Sequence, residues 1–172
     1  MDRPTIELSG KMTVAEYNQC VEEHADGVFR FILKNIKQEA DAQDIVQNAF
    51  EILWKKHDEI ASEKAKSYVF TVAHNNMIDQ LRKNKRMDYK AEMPEDRKTV
   101  GNSYTGLQEV LQVALDRLPD VQKQAVLLRD YEGYKYEEIG EILNLSESQV
   151  KVYIFRARKA LQQYLTSIEH VL

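Results

Sequence analysis

The 172-residue sequence holds a single cysteine, Cys20, with only three prolines, six glycines and one tryptophan. One cysteine excludes an internal disulfide and leaves no thiol pair for zinc, which fits a reducing compartment. His24, His57, His74 and His170 follow no metal-ligand spacing. No Gly-rich loop is present to cradle phosphate, and no nucleophile has an evident base beside it, so the expectation is no enzyme and no cofactor. Scarce Gly and Pro, beside long stretches rich in Glu, Lys, Leu, Ala and Gln, point to an all-α chain. A net charge of -4 argues against a protein that coats nucleic acid by bulk attraction, so any DNA contact must come from local patches. No apolar run approaches the roughly 20 residues that cross a bilayer, and the N-terminus lacks a signal pattern. Cytoplasmic localisation without membrane insertion is therefore expected. The composition, 43% hydrophobic and 30% charged, is that of a chain that folds.

Helix starts are marked by capping boxes at Thr13 with Glu16, Thr105 with Gln108, and Ser146 with Gln149, each pairing a hydroxyl with a side chain that reaches back. The first helical block runs from about Thr13 to Arg86. Its opening helix carries Val14, Tyr17, Val21, Val28, Phe31 and Ile32 on an apolar face, and a second helix follows from Asp41. Between Met87 and Gly106 the periodicity lapses into Pro94, Gly101, Asn102 and Ser103 among acidic residues, which reads as a linker. A second block opens at Leu107 with Val110, Leu111, Ala114, Leu115 and Leu118 on one face. Pro119 opens its next helix and Gly133 closes it. The expected architecture is all-α, two small helical domains over residues 12–87 and 107–168, each with its own core, joined by a flexible linker over 88–106.

The C-terminal block has the outline of a helix-turn-helix. A short helix over Tyr136–Leu143 buries Ile139, Ile142 and Leu143, with Gly140 where a neighbour can approach closely. Asn144 and Leu145 turn, Ser146 caps, and Val150, Ile154, Ala157, Leu161 and Leu165 form the next buried stripe. Outward lie Glu147, Ser148, Lys151, Val152, Phe155, Arg156 and Lys159. These types suit a recognition helix, whose cations hold phosphates or guanine edges and whose Val or Phe meets a thymine methyl. The same pattern also suits a solvated helix with cations at its C-terminal end, although solvent has no use for an exposed Phe155.

In the first block, the helix from Asp41 to about Lys56 turns Ile45, Ala49, Ile52 and Leu53 to one side and Asp41, Asp44, Gln47, Asn48 and Glu51 to the other. That acidic, polar stripe would repel DNA and complements a basic protein surface, or it is simply solvated. The helix from about Lys64 to Lys85 buries Val69, Phe70, Ala73, Met77 and Leu81. It shows Tyr68, Thr71, Asn75, Asp79 and Arg82 opposite, and ends in the cations Arg82, Lys83, Lys85 and Arg86. Aromatic, amide and cationic groups together can hold a separated DNA strand; a polar face with a cationic end reads the same way.

The stretches DAQDIVQNAF (Asp41 to Phe50), SYVFTVAHNNMIDQLRKNKR (Ser67 to Arg86), LDRLPDVQKQAVLLRDYEGYKYEEIGEIL (Leu115 to Leu143) and SQVKVYIFRARKAL (Ser148 to Leu161) resemble the extracytoplasmic-function (ECF) group of the sigma-70 family. The resemblance spans Met12 to Leu165 in the family's order. It implies a sigma region 2 helical bundle followed by a sigma region 4 helix-turn-helix, in a factor that binds RNA polymerase core and directs promoter recognition and melting. It further implies that Asp41, Asp44, Gln47, Asn48 and Glu51 dock on the clamp helices of the largest polymerase subunit, and that region 4 meets the flap of the second-largest. The segment from His57 to Ser67 resembles the loop that accepts a flipped base of the -10 element, with Tyr68, Asn75, Asp79, Arg82, Lys83 and Arg86 beside it. Ser148, Lys151, Val152, Phe155, Arg156 and Lys159 would read the -35 element as duplex. An anti-sigma factor is a further implied partner. Tyr68 stands where the family more often has Trp, Val152 where a small polar residue is common, and Tyr153 where Arg is frequent. The competing readings are a helix-turn-helix regulator that binds DNA unaided and a helical adaptor that binds only proteins.

Overall fold

A computed structural model describes residues 12–90 and 106–169 of the chain. These residues form seven α-helices and no strand: α1 Val14–Ile36, α2 Glu39–Lys55, α3 Ser62–Lys90, α4 Gly106–Asp116, α5 Asp120–Val126, α6 Tyr136–Leu143 and α7 Glu147–Glu169. A π-helical turn, Leu127–Tyr131, extends α5.

Local chemistry sets most boundaries. The Thr13 hydroxyl accepts from the Glu16 N–H at 3.1 Å while the Glu16 carboxylate accepts from the Thr13 N–H, so the capping box starts α1 as expected. Lys37 ends it in the left-handed region, φ 66°, with its N–H bonded to the Leu33 carbonyl. Pro119 precedes α5, and Gly133, at φ +74°, closes the segment after the π turn with its N–H on the Arg129 carbonyl. Thr105 lies outside the described residues, so its capping box does too. Two boundaries differ from expectation: α2 begins at Glu39, and α3 runs from Ser62 to Lys90, past the Arg86 where the apolar pattern stops. An exposed helical end needs no apolar stripe, so periodicity does not mark it.

Helices α1, α2 and α3 pack as a three-helix bundle around Val28, Phe31, Ile32, Ala49, Leu53, Val69, Phe70 and Met77, all buried. Val14 leaves the expected stripe and is exposed, while Leu81 is half-buried and packs against the core. In the second block α5, α6 and α7 pack around Leu127, Leu128, Ile139, Ile142, Val150 and Ile154, with α4 against α7.

The two described blocks also pack against each other. Their buried side chains form one continuous cluster, and α3 packs along α6. Phe70 is the bridge: its ring lies 6.0 Å from Phe31 and meets the buried Tyr134 ring edge-on at 4.8 Å. The periodicity showed which face of each helix is apolar and not what covers it, so this contact between the blocks was not legible in it. Around this bridge the contact is polar. His74 Nε2 lies 2.9 Å from the Gln124 side-chain oxygen. Arg30 grips Glu132 through two nitrogens, at 3.2 and 3.0 Å, and Lys37 Nζ reaches Asp116 at 2.6 Å. Lys66 pairs with Glu138 at 3.1 Å, Lys64 with Glu141 at 3.6 Å, and Lys85 with Asp120 at 3.6 Å.

Candidate nucleic-acid interface

The turn between α6 and α7 is built by three residues. Asn144 takes the left-handed conformation, φ 56°, and the Leu145 N–H bonds back to the Gly140 carbonyl at 2.9 Å, closing a Schellman turn. Gly140 is required because a β-carbon there would lie 2.7 Å from the Leu145 carbonyl oxygen. The close neighbour is thus the backbone of the turn, not the second helix. Ser146 and Gln149 form the expected capping box, with N–H to oxygen distances of 2.9 and 3.2 Å. Val150, Ile154 and Ala157 bury one side of α7, and Leu161 and Leu165 are half-buried.

That packing fixes the opposite face in solvent. Ser148, Lys151, Val152, Phe155, Arg156 and Lys159 are all exposed, Phe155 at 68%. Lys151 pairs weakly with Glu147 at 3.5 Å. Arg158, which the sequence reading did not single out, is spent differently. Its guanidinium clasps Asp130 through two nitrogens, ties α7 to the π turn, and has its pKa raised by those hydrogen bonds. A bidentate anchor of this kind has no sequence signal, since its partner lies outside the helix.

In the first block, Asp44, Gln47, Asn48 and Glu51 are exposed along α2 and Asp41 is half-buried. Asn48 accepts a hydrogen bond from the Asn76 amide at 2.8 Å, joining the α2 stripe to α3. A polar groove between these helices is lined by Asp41, Asp44, Asn48, Asn76, Asp79 and Lys83. Asp79 and Lys83 of α3 thus line one groove with the acids of α2. Asn75, Arg82, Lys83 and Arg86 are exposed and Tyr68 is half-buried. The Thr71 hydroxyl is occupied by the Ser67 carbonyl at 2.7 Å. On its other flank α2 forms an apolar groove with α1, lined by Tyr17, Val21, Phe29, Val46 and Phe50, with Gln47 and Glu51 on the same surface.

The loop before α3 is shorter than expected. Ser62 to Ser67 is helical, so non-helical backbone covers only residues 56–61. Trp54, 41% exposed, lies at its start, stacked on His57 with ring centroids 4.6 Å apart and planes 11° apart, and tilted against Tyr17 at 5.0 Å. Sequence reasoning passed over this aromatic, whose one signal was being the sole Trp. Cys20 is buried, its thiol pushed up to about 11 by burial and then by Glu23, which disfavours the thiolate.

Together these features define a helical protein with a helix-turn-helix whose outward face is cationic and aromatic, and with a second helical block whose faces separate acidic from basic groups. Two family descriptions match it in the same order: "Sigma-70 region 2" over residues 20–87 and "Sigma-70, region 4" over residues 108–161. The chain belongs to the sigma-70 family of RNA polymerase sigma factors, in its ECF group.

Among similar proteins, the ECF sigma factor SigE of Mycolicibacterium smegmatis is 29% identical over 158 residues, covering 87% of this chain; this chain spans 61% of SigE's length. The ECF sigma factor SigM of Bacillus subtilis is also 29% identical, over 161 residues that cover 88% of this chain and 94% of SigM. Among solved structures, the sigma factor RpoE in complex with the anti-sigma factor NepR from Bartonella quintana aligns with a TM-score of 0.73 and 23% identity, over 89% of this chain and 98% of that one. CnrH in complex with the cytosolic domain of CnrY gives 0.66 and 22%, over 88% of each chain. Both support the fold. Among the described residues no helix is long and apolar enough to cross a membrane.

Proposed function

We propose that this chain is a promoter-recognition subunit that acts when bound to RNA polymerase core. The observation that carries the reading is the coincidence of two matches: both sigma regions, in order, fall on the two blocks whose exposed faces have the required chemistry. Asp44, Gln47, Asn48, Glu51 and Asp41 present acids and amides to a basic helical surface such as the clamp helices, with the apolar α1–α2 groove beside them to bury a partner's aliphatic side chains. Tyr68, Asn75, Arg82, Lys83 and Arg86 offer stacking, amide and cationic groups to an unpaired strand. Ser148, Lys151, Val152, Phe155, Arg156 and Lys159 face a major groove. Base flipping costs a few kcal/mol of unstacking per base, which pocket contacts near residues 56–61 must offset. The polymerase supplies the chemistry, and this chain supplies the address.

RpoE was solved with the anti-sigma factor NepR and CnrH with the cytosolic domain of CnrY, and an inhibitory protein that competes with core for the same faces is proposed for this chain too. The test is Asp44→Ala measured for affinity to purified core polymerase. We expect a clear loss, on the order of 1 kcal/mol or more for an interfacial charge. Unchanged affinity would remove the α2 face from the core contact.

A further inference from the structure

The backbone bonds within the loop at 56–61 are local. Lys56 closes α2 with its N–H on the Ile52 and Leu53 carbonyls, the Glu59 N–H returns to the Lys56 carbonyl at 2.9 Å, and the Lys64 N–H meets the Ala61 carbonyl at 2.9 Å. Bonds of that kind shape a loop without fixing where it sits. Among the described residues, one backbone bond ties it to a distant segment: the Met12 N–H donates to the His57 carbonyl at 2.9 Å. Met12 is itself buried and directly precedes Thr13, the cap of α1, so its N–H is held by the helix start.

Side chains close the same junction. The Tyr17 hydroxyl, one turn into α1, donates to the Phe50 carbonyl of α2 at 3.0 Å, and the Tyr17 ring tilts against Trp54. Trp54 in turn carries the His57 ring on its face. His57 Nδ1 lies 2.6 Å from the Trp54 carbonyl oxygen, and because a carbonyl only accepts, this nitrogen bears the hydrogen. His57 is thus held by its ring face, its ring N–H and its own carbonyl. Two of these holds lead to Trp54 and the third to the start of α1.

Capture of an unpaired base is sensitive to such holding. The pocket must offset the unstacking of the base, and a loop that had to be ordered at the moment of capture would lose part of that gain to its own entropy. We propose that Tyr17, Trp54 and His57 buckle the loop at 56–61 into its base-accepting shape, so that Tyr17 and Trp54 are positioning residues for the choice of base in the -10 element without touching DNA. The inference rests on the sigma-factor reading, which the wild-type arm of its test checks separately.

The probe is a duplex with a short randomised unpaired stretch, bound by the full chain at saturating core polymerase; the retained DNA is sequenced and compared with that retained by core alone. The wild type should enrich one base at one position about tenfold, the low end of what a mismatched base costs a specific complex. No enrichment over core alone would defeat the sigma-factor reading, and this inference with it. Trp54→Leu and Tyr17→Leu should each reduce the enrichment to about twofold, and the double variant no further, since both act through one stack. Trp54→Phe keeps a ring between both neighbours and should retain most of it. Val28→Ala truncates a buried side chain about 24 Å along α1 from Met12, at 1.5 Å per residue, and should lower Tm yet leave the enrichment intact. Trp54 is the sole tryptophan, so acrylamide quenching of its fluorescence in the free chain reads the stack directly and should rise in Tyr17→Leu and His57→Leu. Enrichment lost in Trp54→Leu but kept in Tyr17→Leu would make Trp54 a direct DNA contact and overturn the proposal, as would a loss in Val28→Ala of the same size.

Discussion

Asp116→Ala should be among the most damaging single polar substitutions in the described chain, and a second substitution should rescue it. Lys123 is buried, its side chain 7% exposed, and its ammonium lies 2.8 Å from the Asp116 carboxylate. Burial pushes the lysine pKa down, opposed by that hydrogen bond. Burial also pulls the Asp116 carboxyl upward, but hydrogen bonds from Lys123 and Lys37 outweigh it and hold it below the usual range. Removing the carboxylate strands the Lys123 charge. Breaking a buried pair from one side costs about 3–5 kcal/mol, and the partial exposure of Asp116 favours the lower end, about 3. For a chain of this size that is a fall in Tm of about 6–12 °C. Lys123→Met leaves Asp116 with Lys37 and should cost about 1 kcal/mol, and the double variant, which buries no charge, about the same. The cycle then gives a coupling of about 3 kcal/mol. Thermal and urea unfolding followed by circular dichroism at 222 nm measure it. If Asp116→Ala/Lys123→Met melts no higher than Asp116→Ala, stranded charge is not what the single variant suffers from.

Three further outcomes are expected. Gly140→Ala should lower Tm by up to about 8 °C: the clash with the Leu145 carbonyl costs about 1–3 kcal/mol, less a helix-propensity gain of about 1, and a raised Tm would mean that the turn yields freely. His74 has its pKa lowered by burial, partly offset by its hydrogen bond with Gln124. The unfolded chain therefore takes up its proton first, and stability should fall as pH drops below 6.5; His74→Gln should flatten that part of the melting-temperature profile, and an equal slope in both proteins would assign it elsewhere. Arg156→Ala should weaken core-dependent binding to duplex carrying the upstream element by about 1–3 kcal/mol if it forks onto a guanine, or flatten the salt dependence if it holds phosphate, and an unchanged titration would take it out of the interface.

Periodicity and punctuation made much of this fold legible. Two capping boxes, the Pro119 start, the Gly133 stop and the buried stripe of α7 lie where the residue pattern puts them, because each depends on neighbours within a turn or two. The outward set of α7 followed from its inward set. What escaped depends on distant partners. The Phe70–Tyr134 bridge, the bidentate Arg158–Asp130 clasp and buried Lys123 each join residues that no local pattern connects. The groove that joins Asp79 and Lys83 to Asp41 and Asp44 exists only because α2 approaches α3, which no angle on one helix shows. Trp54 followed the same rule in part: His57 is a near neighbour, but only the packing of α1 brings Tyr17 to its ring.

The most direct measurement is transcription from a defined promoter with purified core polymerase, with and without this chain, beside a gel shift of the same DNA with the chain alone. The account predicts a discrete start site that appears only when chain and core are combined, and no specific shift by the chain alone. A specific shift without core, or no start site with it, would contradict the account.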